Sequence, residues 1–122
     1  MEKPDVIRDV LAQAIGTTQY WKVFPGNNDF KITDGVKVMF EMCDAFWLVT
    51  AIFFETCNAK IKDEEFVVWR LEIKPDRSAL LIGEDGNGGE LLREEFFYTD
   101  FPLKEGIKLY WCNNVLMLPS EY

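Results

Sequence analysis

The sequence predicts an α+β fold: about three N-terminal helices, followed by a four- to five-stranded antiparallel sheet packed on the central helix. Three observations predict this class. Apolar residues recur at helical spacing in the first half, they alternate with polar residues in the second, and turn-forming residues separate the short second-half segments. The 122 residues are expected to form a single domain, 1–122. Their 48% apolar and 15% aromatic content excludes a disordered chain.

The first helix is predicted from a helically spaced apolar set and from its two ends. Pro4 suits a first helical turn, and Gly16 is placed to end the helix as its C′ residue. The apolar set consists of Val6, Ile7, Val10, Leu11, Ala14 and Ile15. An aromatic segment and a turn at 25–28 follow.

Two further helices are predicted before residue 60. Thr33 or Asp34 can cap the second helix, and Asp44 can cap the third. The third helix is apolar nearly all round, which is typical of a central, most buried helix. Its apolar run, 45–54, is about half a membrane span and is flanked by charges, so no membrane segment is expected.

The second half predicts a meander of short strands, with a polar outer face carrying Arg70, Glu72 and Glu94. Alternation over 67–74 is the pattern of a half-buried strand. The turn at 75–78, the glycine-rich loop at 84–89 and the Asn113-Asn114 pair separate the strands. The other strands are expected at 79–83, 91–99, 107–112 and 115–118.

Composition argues against most enzymes. The chain has no histidine, the commonest general base and metal ligand, and no set of other reactive residues forms a recognisable constellation. We therefore expect no catalytic residues, no cofactor and no metal. The loop at 84–89 begins like a calcium loop but lacks the later ligands. Three widely spaced cysteines and a charged N-terminus predict buried thiols and a cytoplasmic location.

The charge predicts the kind of partner. Asp and Glu number 21 against 13 Lys and Arg, a net charge of −8, which disfavours direct nucleic-acid binding and favours a protein partner with a basic surface. An acidic face can also occupy a nucleic-acid-binding groove by presenting negative charge at phosphate-like positions. The candidate interaction residues are Asp63, Glu64, Glu65, Glu84, Asp85, Glu94, Glu95, Asp100 and Tyr122.

Two further expectations concern other surfaces. An aromatic pocket between the third helix and the sheet, lined by Trp47, Trp69 and Trp111, would make the chain a small-molecule-binding domain. An exposed edge strand near the C-terminus would allow a homodimer. The apolar C-terminal segment is expected to be tied down as a final strand, with a partner-binding peptide at 118–122 as the alternative.

Several short segments resemble a family of small proteins of bacteria, plasmids and phages whose shared domain has no assigned function. These segments are Thr33-Asp34-Gly35-Val36, Ala45-Phe46-Trp47-Leu48, Glu84-Asp85-Gly86-Asn87-Gly88, Thr99-Asp100-Phe101-Pro102-Leu103 and the closing 116–122. The resemblance covers about residue 17 to the end and implies a free-standing cytoplasmic domain carried by mobile elements. Taken with the charge, it favours an interaction module that inhibits or regulates a nucleic-acid-handling host protein, such as a defence nuclease.

Overall fold

The computed structural model describes residues 3–14 and 16–122, which form an α+β fold. Three helices, α1 (Lys3–Ala12), α2 (Asp34–Cys43) and α3 (Phe46–Glu55), pack on one face of a six-stranded sheet. The strands are β1 (Lys31–Ile32), β2 (Phe66–Ile73), β3 (Ala79–Glu84), β4 (Glu90–Phe96), β5 (Ile107–Cys112) and β6 (Val115–Met117). A short 3-10 helix, Pro119–Glu121, follows β6.

The sheet is mixed rather than purely antiparallel, which corrects the sequence prediction. Its strand order is β1-β6-β5-β2-β3-β4, and β1 pairs with β6 in parallel. β1 lies between α1 and α2 in the chain, so the helices do not all precede the strands. The strand has two residues, too few for alternation to reveal it.

The prediction of an exposed edge strand near the C-terminus is also wrong. β6 lies between β1 and β5, so it is not an edge. On the far side of β1, Trp21 forms an antiparallel bridge with Ile32. The long open edge of the sheet is therefore β4.

Helix ends follow the predicted caps only in part. Thr33 is the N-cap of α2, and its hydroxyl accepts the backbone N–H of Val36. Asp44 does not cap α3: it ends α2 in the left-handed conformation, and Ala45 is the α3 N-cap. α1 ends at Ala12, four residues before Gly16.

The core lies between the helices and the inner face of the sheet, and α2 and α3 share it. α2 buries four residues and α3 buries three, and α3 leaves Phe54 66% exposed. The prediction that α3 is the most buried helix is therefore wrong. Phe30 joins the layers, packing edge-on against Phe53 and stacking on Trp111. The expected core position of Ile15 lies outside the described residues.

Strand register defines an inner and an outer face of the sheet. Trp69, Leu71 and Leu109 face the helices, and Arg70 and Glu72 face outward as predicted. Glu94 was also expected outward, but it lies opposite Leu81 on the inner face. Two adjacent glutamates must face opposite sides of a strand, and the alternation alone does not say which one faces inward.

Candidate interaction surface

The predicted acidic residues do not form one face, because the sheet separates them to its two ends. β2 begins beside the end of β3, which places Asp63, Glu64 and Glu65 near Glu84 and Asp85 at what we call the lower end. β4 runs antiparallel to β3, so it ends at the opposite, upper end of the sheet. Glu94, Glu95 and then Asp100 lie there.

The carboxylates at the lower end are partly used within the fold. Glu84 pairs with Arg70 at 2.7 Å. Asp85 accepts the backbone N–H groups of Asn87 and Gly89, and these hydrogen bonds lower its pKa. The 84–89 loop is thus a hairpin loop that satisfies its own backbone.

At the upper end, a loop displays two aromatic side chains between exposed carboxylates. Phe97 is fully exposed and Tyr98 is 70% exposed. Glu95 and Asp100 flank them, are exposed, and form no ion pair among the described residues. We call Glu95, Phe97, Tyr98 and Asp100 the aromatic loop.

Arg77 holds the aromatic loop in place. Its guanidinium donates to the carbonyls of Thr99 at 3.1 Å and Phe101 at 2.8 Å, and its own carbonyl accepts the Thr99 N–H at 2.8 Å. The side chains of Thr99 and Phe101 are buried, so the chain on the far side of the loop is anchored in the core. The exposed pair is therefore presented on a fixed backbone.

Glu94 behaves differently from the other acidic residues because it faces the helices. Burial raises its pKa, and the nearby carboxylate of Glu55 raises it further. An inward-pointing charge on an open edge strand also discourages pairing with another strand. We therefore assign Glu94 to the edge rather than to the interaction surface.

Two of the segments that carry the family resemblance meet around Glu121. Its carboxylate accepts the Thr33 hydroxyl at 2.6 Å, the Gly35 N–H at 3.1 Å and the Leu118 N–H at 3.0 Å. A Cβ at Gly35 would lie 2.6 Å from a Glu121 oxygen, so the contact requires glycine. This confirms that the C-terminal segment is tied down, with its carboxylate at the first turn of α2.

Asp34 ties a second segment to the same turn. Its carboxylate accepts the backbone N–H and the hydroxyl of Thr18 and the indole N–H of Trp21. These hydrogen bonds lower the pKa of Asp34 from 3.8 to about 2. The bond from the Thr18 N–H has the largest effect, followed by those from the Trp21 indole and the Thr18 hydroxyl. The 33–36 segment is a structural hub, since both the 17–21 loop and the C-terminus are held there.

The three tryptophans predicted to line a pocket take part in the packing of the fold. Trp69 and Trp111 are buried core residues on β2 and β5, and half-buried Trp47 packs edge-on against Phe96 of β4. The Trp69 indole nitrogen is buried without a hydrogen-bond partner. The described chain contains no grouping of three or more His, Cys, Asp or Glu side chains that could hold a metal ion. None of its described helices is long and apolar enough to cross a membrane.

Fold and surface together define a small acidic α+β domain with a displayed aromatic loop. The chain belongs to a family of unknown function, DUF6876, whose model matches residues 5–122. The match begins within α1, so the expectation that the resemblance starts near residue 17 is wrong, and α1 is part of the family's domain. Comparisons with curated proteins and with solved structures gave no match.

Proposed function

We propose that this chain is a protein-interaction module that binds a basic protein surface through the aromatic loop. The observation that carries the proposal is the full exposure of Phe97 beside the exposed Tyr98. Aromatic side chains of this kind are typical anchors of interfaces, where a few residues contribute most of the binding energy. Neither ring serves the core, and each would gain by burial in a partner's pocket.

The fixed backbone of the loop supports this role. Binding loses less conformational entropy when the anchor residues are already held in position. The hydrogen bonds from Arg77 to Thr99 and Phe101 provide that order here. We therefore expect the aromatic loop to bind without rearranging.

The charge supports a basic partner. Glu95 and Asp100 flank the aromatic pair, and the whole chain carries a net charge of −8. Opposite charge on the partner speeds association and orients the two surfaces, and salt weakens both effects. Basic grooves of this kind occur on proteins that handle nucleic acids. We therefore propose inhibition or regulation of such a protein, with the loop near its nucleic-acid-binding groove.

The test is a pull-down from a host lysate with the tagged chain, at low and high salt. We expect the tagged chain to capture one basic protein in stoichiometric amount. High salt should release this protein, and added nucleic acid should compete with the chain for it. Phe97→Ala should reduce its recovery about tenfold or more, a typical anchor effect. Phe54→Ala, which removes an exposed ring on α3, is the matched control and should leave recovery unchanged. Equal recovery with both variants, or binding insensitive to salt, would contradict the proposal.

Small-molecule binding between α3 and the sheet remains the second candidate function. The observation that favours it is the buried Trp69 indole N–H, a donor that has no acceptor within the described structure. A ligand that accepts this hydrogen bond would raise the melting temperature. A thermal-shift screen of nucleotides and metabolites tests the idea, and the absence of any shift would count against it.

A further inference from the structure

The outer face of the sheet differs in charge from the rest of the molecule. Register places four basic and four acidic side chains on it, so the face is neutral while the chain as a whole carries −8. The basic residues are Lys31, Arg70, Arg93 and Lys108, and the acidic residues are Glu72, Glu84, Glu90 and Glu95. Five of these eight side chains form ion pairs with each other, centred on Arg70 and Arg93.

The part of this face formed by the start of β2, the end of β5 and β6 is apolar. Phe66, Tyr110 and Tyr122 contact one another at ring-centroid distances of 5.0, 5.3 and 5.7 Å. Their apolar neighbours on the same face are Val68, Cys112, Val115 and Met117. Tyr122 remains 74% exposed. We call these seven residues the tyrosine patch.

We propose that a second copy of this chain docks on the tyrosine patch, outer face to outer face across a two-fold axis. The neutral charge of the outer face favours a second copy of the chain as the binding partner. Two copies that each carry −8 repel one another over most of their surfaces, but on the outer face that repulsion is locally absent. A two-fold interface needs a self-complementary surface, and a neutral face that carries charges of both signs beside an apolar patch is one.

Pairing through the open edge is disfavoured by the same structure. β4 carries Glu90, Arg93, Glu94 and Glu95, and Glu94 points inward, as on strands that avoid edge-to-edge association. The other edge, β1, has two residues and is bridged by Trp21 at Ile32. The outer face is therefore the surface through which we expect two copies to meet.

Salt separates this association from the proposed binding to a basic partner. Screening weakens the repulsion between two acidic copies, so the dimer should strengthen from about 50 mM to about 500 mM NaCl. A basic partner should be released over the same range. Sedimentation equilibrium of the full chain at both salt concentrations gives the dimer dissociation constant. A chain that stays monomeric at high salt and high concentration would overturn the proposal.

A matched pair of substitutions locates the interface. Val68→Lys places a charge in the tyrosine patch and should weaken the dimer about tenfold or more. Val38→Lys makes the same change at an exposed position of α2 and should leave the dimer unchanged. Tyr122→Ala, whose ring is already mostly exposed, gives a second test if Val68→Lys does not fold. A dimer that Val68→Lys and Tyr122→Ala leave intact would place the contact elsewhere, on β4 for example. Phe97→Ala should not change dimerisation, so the dimer and the partner-binding proposal fail independently.

Discussion

Replacing Glu121 with alanine tests the claim that this carboxylate joins the C-terminus to α2. The variant loses three hydrogen bonds, and two of the donors, the Thr33 hydroxyl and the Gly35 N–H, belong to buried residues at the start of α2. Hydrogen bonds to a charged group contribute about 1.5–3 kcal/mol each and are not additive within one network. Glu121 is only half-buried, so we expect a total loss of about 2–4 kcal/mol.

The expected change in melting temperature follows from the size of the chain. An unfolding entropy of about 2.1 cal/mol/K per residue over 122 residues converts 1 kcal/mol into about 4 °C. Glu121→Ala should therefore lower Tm by about 8–16 °C in a thermal unfolding experiment. The control is Glu64→Ala, which removes an exposed carboxylate that has no hydrogen-bond partner in the described chain and should shift Tm by less than about 2 °C. Equal melting temperatures for the two variants would refute the reasoning.

Two further predictions concern backbone space and pH. Gly106→Ala should lower the free energy of unfolding by about 3 kcal/mol or more, since the added Cβ would lie 1.8 Å from a β2 carbonyl oxygen. Gly88 has a similar positive φ but open space around it, so Gly88→Ala should cost only about 1–2 kcal/mol. Urea unfolding of both variants measures the difference. Glu94→Gln should raise Tm at pH 7, because a carboxyl whose folded pKa is raised destabilises the fold above its unfolded pKa of about 4.5. The gain should shrink as the pH falls to about 4.5 and below, and the exposed neighbour variant Glu95→Gln should show no such gain. A gain that is equal for both variants, or that does not depend on pH, would contradict the placement of Glu94.

Local sequence signals predicted the elements that local interactions determine. Thr33 as a helix cap, the strand at 107–112 and the turn at Asn113-Asn114, where both residues have positive φ, were all predicted from short patterns. Contacts between distant segments could not be predicted in this way. The Glu121–Thr33 hydrogen bond spans 88 residues, and no local pattern indicates which carboxylate reaches a given helix end.

The exposed aromatic pair, Phe97 and Tyr98, was missed because both residues were placed inside a predicted strand, 91–99. β4 ends at Phe96, so Phe97 and Tyr98 leave the sheet instead of continuing its alternation. A signal was present: three consecutive aromatic residues cannot all face the core from one strand, because neighbouring side chains point to opposite faces. Either at least one large ring had to be exposed, or the strand had to end before it. An exposed ring is a candidate interface anchor.

The two proposed surfaces are compatible because they lie at different parts of the sheet. The tyrosine patch lies on β2, β5 and β6 at the lower end of the sheet, and the aromatic loop follows β4 at the upper end. A dimer through the patch would therefore present two aromatic loops. On a partner with two matching sites, the second loop would bind at the high effective concentration set by the first, which raises avidity without a new contact. A monomeric variant such as Val68→Lys should then bind one site normally but lose this gain, so partner affinity that depends on dimerisation would link the two proposals.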